Sequence, residues 1–366
     1  MTSIDSLLIL NAIPGLGPIR IKQLLSYFVS AKKVLLASQK EILSLGCIPK
    51  NVAQNISEFP KEEFLEKEHA LMKSHDVNVC AITQESFPKN LKNISDTPVV
   101  LYVKGTLEAI DANAISIVGS RRASVYGTST AEKFAMQLSD FGITVVSGMA
   151  RGIDTAAHRG ALRAKGRTIA VLGSGLANIY PPENKKLAED ISRNGAVISE
   201  FPMSTKPLAG NFPRRNRIVS GLSLGVIVVE AAQRSGALIT ADLALEQGRE
   251  VFAIPGKVDS PSAQGTNNLI KQGAKLVSSI EDVLEDLQIN LKNARLKVLE
   301  NDDQTLVKNL SDVEQRIFDS ISLKPTYLDQ ILEKTGLSIS QASSGLLSLE
   351  LKRLIKQLPG KLFVRI

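Results

Sequence analysis

The sequence predicts an α/β protein whose central part is a doubly wound, mostly parallel sheet, with a helical domain before it and a winged helix after it. Three observations support this fold class. Amphipathic helical periodicity fills the first part of the chain, apolar runs then alternate with helical stretches, and three helical stretches with a short hairpin close it. The corresponding domains are residues 1–104, 105–290 and 309–366, with a charged linker at residues 291–308.

The composition is typical of a globular protein outside the membrane. The chain has 366 residues, of which 43% are hydrophobic. No window reaches the roughly 18 uncharged apolar residues that would span a bilayer, and no basic segment for export precedes the first apolar run. We therefore expect a cytoplasmic protein without membrane contact. Cys47 and Cys80 are the only cysteines, which excludes a disulfide framework and a Cys-rich zinc site.

The net charge of +7 is concentrated in the middle of the chain. Residues 111–280 contain 20 Lys and Arg against 13 Asp and Glu, a difference that equals the whole excess. A local positive field raises the encounter rate with polyanions. The central domain is thus the expected binding surface.

The N-terminal domain contains one turn of functional interest. The run Ile13-Pro14-Gly15-Leu16-Gly17-Pro18 precedes a predicted helix at residues 19–27 and resembles a helix-hairpin-helix turn, in which backbone N–H groups at a helix start can hold a DNA phosphate. Packing or dimerisation is the alternative role for this domain. The segment from Glu62 to His69 is expected to be a solvated helix face.

The central domain contains the apolar runs of a buried parallel sheet. The predicted strands are residues 114–118, 143–146, 168–172, 196–198, 225–229, 250–254 and 275–277. In such sheets, ligands bind at the carboxyl ends of the strands. Glycines follow several of these runs, namely Gly119, Gly148, Gly152, Gly173 and Gly175, so the binding site is expected there.

The first glycine turn is suited to a phosphate but lacks the spacing of a nucleotide-binding motif. In Gly119-Ser120-Arg121-Arg122 the backbone can approach a phosphate while Ser120 and Arg121 donate to it. Neither the dinucleotide pattern nor the Walker pattern is present, so no NAD or ATP site is expected and no cofactor is predicted. No Asp/Glu/His cluster has metal-ligand spacing either.

Three ionisable residues near these turns have structural and chemical interpretations. Asp154 is more easily explained as a helix-start contact than as a catalyst, and His158, four residues on, is interpreted as structural. Glu230 is the carboxylate best placed for a general base, although a carboxylate bonded to a helix start is the commoner case. Ser235 and Gly236 open a helix whose N–H groups could hold an anion. Tyr180 could stack on a base or pack within its turn.

The run Asn211-Phe212-Pro213-Arg214-Arg215-Asn216-Arg217 places three guanidinium groups within four residues. No acid occurs between Glu200 and Glu230 to neutralise them. Arginine forks match phosphate oxygens, so the run predicts phosphate or nucleic-acid contact, with some arginines holding the loop. A solvated turn, or pairing with acids elsewhere in the chain, is the alternative.

The C-terminal domain has the order of a winged helix. Helices are predicted at residues 313–321, 327–335 and 340–351, followed by a hairpin at residues 354–366. Residues 337–351, which include the third helix, contain no Lys or Arg. Because a base-reading helix needs cations, a protein-contact or auxiliary role is favoured.

These motifs, in this order, resemble the DNA-processing protein A (DprA/Smf) family. The resemblance covers nearly all of residues 95–280 through Ile117-Val118-Gly119-Ser120-Arg121, residues 147–154, Gly173-Ser174-Gly175 with Tyr180-Pro181, residues 211–217, residues 230–240, Ile254-Pro255-Gly256 and Gly265-Thr266-Asn267. It implies an extended Rossmann-like domain that binds single-stranded DNA and forms a homodimer. It also implies a non-enzymatic mediator that protects incoming DNA and loads a RecA-type recombinase during natural transformation.

The DNA-binding candidates combine the glycine turns, the arginine run and two helix starts. They are Gly119, Ser120, Arg121, Arg122, Gly148, Arg151, Gly173, Asn184, Lys185, Asn211, Phe212, Arg214, Arg215, Asn216, Arg217, Ser235 and Gly236. The alternative function is a Rossmann-like enzyme that hydrolyses nucleoside monophosphates, with Glu230 as its base. The Pro-Gly-Gly-x-Gly-Thr run expected of that class is missing.

Overall fold

The computed structural model describes residues 1–287, 310–321, 326–351, 354–358, 360 and 362–365. It forms two compact units, Met1–Ala294 and Arg295–Ile366. The predicted linker at residues 291–308 lies outside the described residues.

The first unit begins with helices, as predicted. They are α1 (Ser3–Ala12), α2 (Pro18–Phe28), α3 (Ala31–Leu36), α4 (Gln39–Ser44), α5 (Lys50–Glu58) and α6 (Lys61–His75). Thr2 with Asp5 and Ser38 with Glu41 form capping boxes that fix the starts of α1 and α4. Apolar side chains from these helices share one core with part of the sheet.

Residues 62–69 of α6 were predicted to be a solvated helix face, and Glu68 is buried instead. Glu68 is only 2% exposed, and its carboxylate accepts a hydrogen bond from the backbone N–H of Met203 at 2.8 Å. The next residue, His69, lies 3.0 Å from the Asp5 carboxylate. Because Met203 follows the sheet strand that ends at Ser199, Glu68 connects the N-terminal helices to the sheet.

Nine strands within residues 1–287 form one sheet. They are β1 (Asn78–Ala81), β2 (Val100–Gly105), β3 (Ala114–Val118), β4 (Thr144–Ser147), β5 (Thr168–Val171), β6 (Gly195–Ser199), β7 (Gly225–Val228), β8 (Glu250–Ala253) and β9 (Lys275–Leu276). Their order is β1-β2-β6-β5-β4-β3-β7-β8-β9. The predicted strands are confirmed. Along the sheet, the seven strands β6-β5-β4-β3-β7-β8-β9 each pair in parallel with their neighbours in this series.

The two antiparallel strands β1 and β2 were not predicted. They pair with each other and, through β2, with β6, so the sheet includes residues assigned to the helical domain from the sequence. Between and after the strands lie α7 (Lys89–Lys92), α8 (Val125–Asp140), α9 (Ile153–Arg163), α10 (Lys185–Arg193), α11 (Asn211–Leu222), α12 (Gly236–Glu246), α13 (Gln264–Lys271) and α14 (Ile280–Asp286).

Helices cover both faces of the sheet because both faces are apolar. In β3, Ile115 and Ile117 pack in one cluster with residues of α8, α9 and α14. Ala114 and Val118 point to the other face and pack in a cluster with residues of α11, α12 and α13. Full burial of one such Ile or Val contributes about 1.5–3 kcal/mol. These contacts fix the strand ends that carry the glycine turns.

The second unit is a winged helix, as predicted. Its described elements are α15 (Asp312–Ser320), β10 (Thr326–Tyr327), α16 (Leu328–Thr335), α17 (Ile339–Leu351), β11 (Ile355–Leu358) and β12 (Leu362–Arg365), with strand order β10-β12-β11. Ile317, Ile331, Leu346 and Phe363 belong to its core. The Ser311 and Glu314 capping box sets the start of α15.

The buried Glu68 carboxylate gives a stability test. Glu68→Leu leaves the N–H of Met203 without its acceptor, so we expect the free energy of unfolding to fall by about 1–3 kcal/mol. Glu68→Gln retains an acceptor oxygen and should lose much less. Urea denaturation of the three proteins at one pH measures both effects, and equal stability of the Leu variant and the wild type would contradict the contact.

The pH dependence of the same variants provides a second measurement. Burial raises the pKa of the Glu68 carboxyl above its ordinary value of 4.5. The folded state therefore keeps this proton to a higher pH than the unfolded state, and the stability from this group is lost as pH rises through the folded pKa. Glu68→Gln should thus gain stability relative to the wild type as pH increases from about 4.5.

Candidate nucleic-acid interface

A cleft of about 720 Å³ lies at the carboxyl edge of the sheet. It forms where the strand order reverses, since β3 pairs with β4 on one side and with β7 on the other. Chain segments leaving such neighbouring strands diverge and leave a crevice between them. Gly119 directly follows β3 and Gly148 directly follows β4, so the predicted glycine turns do meet at one edge.

Ten of the predicted site residues line this cleft. They are Gly119, Ser120, Arg121, Arg122, Gly148, Phe212, Arg215, Asn216, Ser235 and Gly236. Arg151 and Gly173 border a small adjoining cavity together with Tyr180. The convergence of segments so far apart in the chain follows from the parallel topology.

Arg121 is the exposed cation at the centre of the cleft. Its guanidinium carbon lies 5.1 Å from the centroid of the Phe212 ring, a cation–π contact that positions the side chain without neutralising it. The Tyr180 ring also contacts Phe212, and the centroids of the two rings are 5.7 Å apart. A Cβ at Gly173 would come within 2.8 Å of the Phe212 ring. Gly173 therefore makes room for this ring.

Arg215 forms the floor of the cleft and is only 4% exposed. Its Nη1 donates to the carbonyl oxygen of Gly148 at 2.5 Å and to that of Val171. A Cβ at Gly148 would lie 2.5 Å from the guanidinium, so only glycine fits there. Burial lowers the pKa of Arg215 to about 10, with Asp154 opposing and Arg121 reinforcing that shift. Arg215 therefore remains charged at neutral pH.

The buried groups around Arg215 are structural, as predicted. The Asp154 carboxylate accepts from the backbone N–H of Ala150 at 3.2 Å, near the start of α9. Burial raises the pKa of Asp154, and the Arg215 guanidinium opposes that rise. Nδ1 of His158 lies 2.7 Å from the Thr168 hydroxyl. Burial and the charge of Arg215 lower the pKa of His158 to about 3, so its imidazole is neutral.

The arginine run is the first half of helix α11, whereas the sequence suggested a loop. Successive residues of a helix point about 100° apart, so neighbouring arginines leave α11 in different directions. Arg215 points to the cleft floor. Arg214 is exposed and lies over the Phe201 ring, with its guanidinium carbon 5.1 Å from the ring centroid. The three guanidinium groups thus do not form one cluster.

Arg217 belongs to the predicted DNA-binding set but does not line the cleft. Its side chain is buried, and its Nε lies 3.0 Å from the Asp96 carboxylate while its Nη2 contacts Glu200. Neither carboxylate lies within residues 201–229, the stretch without acids that contains the arginine run. Arg217 is therefore the arginine paired with acids from elsewhere in the chain.

Asn184, also predicted to contact DNA, is buried beside the turn after β4. It is only 3% exposed, and its amide donates to the Met149 carbonyl at 3.0 Å and to the Thr155 hydroxyl at 2.8 Å. It holds the turn after β4 in place and has no free face for DNA. The neighbouring Lys185 is exposed but does not line the cleft.

Arg151 and Asn211 lie beside the cleft with partners of their own. Arg151 pairs with Glu183 at 2.5 Å between Nε and Oε1, and both side chains are about half exposed. The Asn211 amide donates to the Lys206 carbonyl at 3.4 Å on the other side of α11. Neither residue is placed at the centre of the cleft.

The Glu230 carboxylate is hydrogen-bonded at a helix start, which is the commoner of the two roles that the sequence left open. Its carboxylate accepts from the Ser124 backbone N–H at 2.9 Å and from the Ser124 hydroxyl at 2.5 Å, just before α8. Ser235 is the N-cap of α12 and accepts from the Ala237 N–H at 3.3 Å. Ser235 and Ala237 line the cleft, whereas Glu230 and Ser124 are not among its lining residues.

Pro261 and Ser262 also line the cleft but were not predicted. They follow β8, whose carboxyl end lies at the same sheet edge as that of β7. Applying the strand-end rule to β8 would have included this loop. Among the described residues, no group of three or more His, Cys, Asp or Glu side chains could hold a metal ion. Within those same ranges, no helix is long and apolar enough to cross a membrane.

Comparison with known proteins gives a consistent result. The family model described as DNA recombination-mediator protein A matches residues 78–288, and the DprA winged helix domain model matches residues 302–361. Protein Smf of Escherichia coli (strain K12) is 40% identical over 313 residues, which cover 84% of this chain and 82% of that protein.

Two solved structures are also similar. DNA processing protein A (DprA) from Streptococcus pneumoniae aligns with a TM-score of 0.67 and 37% identity, covering 78% of this chain and 98% of that chain. DNA processing protein A from Helicobacter pylori, described by its unique single-stranded DNA binding mode, aligns with a TM-score of 0.52 and 31% identity. That alignment covers 58% of this chain and 95% of the other.

The buried position of Arg215 makes its replacement a test of the cleft floor. Arg215→Ala leaves two strand-end carbonyls without their donor and the buried Asp154 without its nearby cation. We expect the free energy of unfolding to fall by about 3 kcal/mol or more. Arg214→Ala, at the exposed neighbour, should change it by less than about 0.5 kcal/mol. Chemical denaturation measures both, and similar values for the two variants would exclude this role for Arg215.

Proposed function

Since the chain belongs to the DNA recombination-mediator protein A family, we propose that its cleft binds single-stranded DNA and that the protein acts as a recombination mediator. The observation that carries this proposal is the exposed Arg121 guanidinium over the Phe212 ring, above the buried charge of Arg215. This arrangement offers a cation to a phosphate and an aromatic ring to a base in the same cleft.

The charge of the cleft supports a polyanionic ligand. Arg121 and Arg122 are exposed, and Arg215 adds a positive charge beneath them. Asp154 is the one carboxylate among the lining residues, and it is buried beside Arg215. The surface that a ligand meets is thus positive, which favours phosphate contact over binding of a cationic or neutral ligand.

The aromatic residues favour a single strand over a duplex. Phe212 and Tyr180 are partly exposed at the cleft and its adjoining cavity. A base can stack on such a ring only when its face is not already stacked within a helix. With 4% aromatic residues and no Trp in the chain, charge should supply most of the affinity. The related Helicobacter pylori protein, with its single-stranded DNA binding mode, supports the same assignment.

The further parts of the proposal are a non-enzymatic mechanism, a homodimer and the loading of a RecA-type recombinase on incoming DNA during natural transformation. The engagement of Glu230 with Ser124 supports the first part, because the carboxylate is held at the start of α8 and is not among the cleft-lining residues. Incubation with nucleoside monophosphates should therefore release no free base. Release of base would favour the hydrolase alternative.

Arg121 provides the direct test of DNA binding. Arg121→Ala removes an exposed phosphate contact, so we expect about tenfold weaker binding at low salt for every single-stranded sequence. The slope of log K against log salt should become shallower by about 0.7. Fluorescence anisotropy with labelled oligonucleotides measures both quantities.

Arg163→Ala is the matched control for that measurement. Arg163 is an exposed arginine at the end of α9 that pairs with Glu132, away from the cleft lining. Its loss should leave affinity and salt slope unchanged. Equal behaviour of the two variants would remove Arg121 from the interface.

Recombinase loading is tested by order of addition. Single-stranded DNA is first coated with a single-strand-binding protein, and a RecA-type recombinase is then added with or without this protein. We expect the protein to shorten the lag before filament assembly, and Arg121→Ala to shorten it less because this variant binds DNA more weakly. An unchanged lag with wild-type protein, despite normal DNA binding, would contradict loading. Size-exclusion chromatography with light scattering tests the homodimer separately.

A further inference from the structure

A second, larger cavity lies on the opposite side of helix α11 from the cleft. This N-terminal groove has a volume of about 1260 Å³ and lies between the turn at residues 13–18 and the first half of α11. Arg20, Asp96, Glu200, Arg214 and Arg217 are among its lining residues. Pro213 and Ile239 line both the groove and the cleft, so the two sites share a wall.

The deep side of the groove contains a donor and an acceptor without partners. Glu200 and Arg217 are 2% and 5% exposed, and one carboxylate oxygen of Glu200 contacts the guanidinium. Oε2 of Glu200 and Nη1 of Arg217 are buried and have no hydrogen-bond partner among the residues that the structure describes. A buried polar atom left without a partner costs about 1–3 kcal/mol. A ligand that offers a donor to Glu200 and an acceptor to Arg217 would satisfy both atoms.

The rim of the groove is suited to a phosphate. Gly17 is the N-cap of α2 and has no side chain to cap the N–H groups of Ile19 and Arg20, while Pro18 has no N–H of its own. The Arg20 guanidinium donates to the Gly15 carbonyl at 2.7 Å, which holds it beside this helix start. Arg214 supplies a second, exposed guanidinium. Helix start and cations together form an anion site.

A nucleotide matches both sides of the groove. Each nucleobase has hydrogen-bond donors and acceptors next to one another on its edge, as the Glu200 and Arg217 atoms require. Its phosphate would meet Arg20 and the start of α2. A peptide also has donors and acceptors, but it lacks the anionic group that the rim would bind. The two carboxylates of the groove, Asp96 and Glu200, are already paired with Arg217, so the remaining charge is positive.

We propose that the N-terminal groove is a second nucleotide site, which takes a base and phosphate from the same single strand that occupies the cleft. This inference rests on the proposed function, because the strand reaches the groove by crossing the first turn of α11. A helix is roughly 10–12 Å across with its side chains, so a strand of a few nucleotides spans it. Binding should therefore strengthen with strand length until both sites are filled.

Cys47 provides a reporter inside the groove. It is an exposed free thiol that lines the groove, whereas the other cysteine, Cys80, is buried. Burial also raises the pKa of the Cys80 thiol, which lowers its reactivity. The rate of Cys47 alkylation by a maleimide, followed by peptide mass spectrometry, is measured with oligonucleotides of increasing length. Anisotropy on the same samples gives the fraction of protein bound.

The expected result is protection that depends on strand length. Short oligonucleotides should bind the cleft and leave Cys47 reactive, while longer ones should slow its alkylation in proportion to the fraction bound. If long strands bind and Cys47 reacts at the free rate at every length, the groove is not part of the DNA path. Protection by free mononucleotides but not by any oligonucleotide would also overturn the proposal. If no oligonucleotide binds at all, the proposed function itself fails.

Gly17→Asp tests the anion site without weakening the fold. A Cβ at Gly17 would meet no atom of the described residues within 4 Å, and the Gly17 backbone has the extended conformation of an ordinary N-cap. Aspartate is a preferred N-cap residue, so thermal stability should be equal or higher. Its carboxylate would occupy the phosphate position. We expect about five- to tenfold weaker binding of long strands, loss of Cys47 protection and unchanged binding of short strands.

Gly17→Asn is the matched control for the charge. Asparagine caps the helix with a similar shape but does not repel a phosphate, so it should weaken long-strand binding less than aspartate does. Identical length dependence for the wild type and the aspartate variant, with both proteins folded, would refute a nucleotide site in the groove.

Discussion

The two hydrogen bonds from Arg215 to the carbonyl oxygens of Gly148 and Val171 hold the cleft together. They join α11 to the carboxyl ends of β4 and β5, the strands that carry two of the glycine turns. The same guanidinium opposes the rise in the pKa of Asp154 and lowers the pKa of His158. A planar group with several donors can serve all of these neighbours at once, which a lysine ammonium on a flexible stem cannot do equally well.

Helix α11 separates two surfaces that the sequence presents as one basic run. Its period sends Arg215 into the cleft wall, while Arg214 and Arg217, three residues apart, both line the N-terminal groove. Arg217 is neutralised by Asp96 and Glu200, and Arg214 remains exposed. One helix therefore supplies the structural cation of the cleft and the free cation of the groove, and any ligand that touches both sites must cross its first turn.

The sequence predicts the sheet well because each central strand is buried on both faces. Runs such as residues 114–118 have no polar face, so their length and composition indicate a strand without knowledge of their neighbours. The edge strand β1 lacks this advantage, whereas β2, which lies between β1 and β6, is buried over residues 100–103. β1 has an exposed first residue and directly follows α6, so its short pattern does not stand out from the helical region before it.

The strand-end rule likewise predicts the cleft, because parallel topology brings Gly119, Gly148 and Ser235 together regardless of their separation in the chain. Residues paired across long distances could not be assigned in this way. Asp96 meets Arg217 from the segment before β2, and Asn184 turns inward to Met149 and Thr155. Nothing within a short window distinguishes such buried polar residues from residues that face a ligand.

The ion pairs between arginines and carboxylates also determine how salt should affect DNA binding. The central domain has a large positive excess, but Arg217, Arg151 and Arg163 are paired with carboxylates and Arg215 lies beneath the surface. Arg121 and Arg122 line the cleft and Arg20 and Arg214 line the groove, and these four cations are placed to meet phosphates. Each phosphate neutralised on a single strand contributes about −0.7 to the slope of log K against log salt. Four such contacts give a slope of about −3, shallower than the charge excess of the domain alone would suggest.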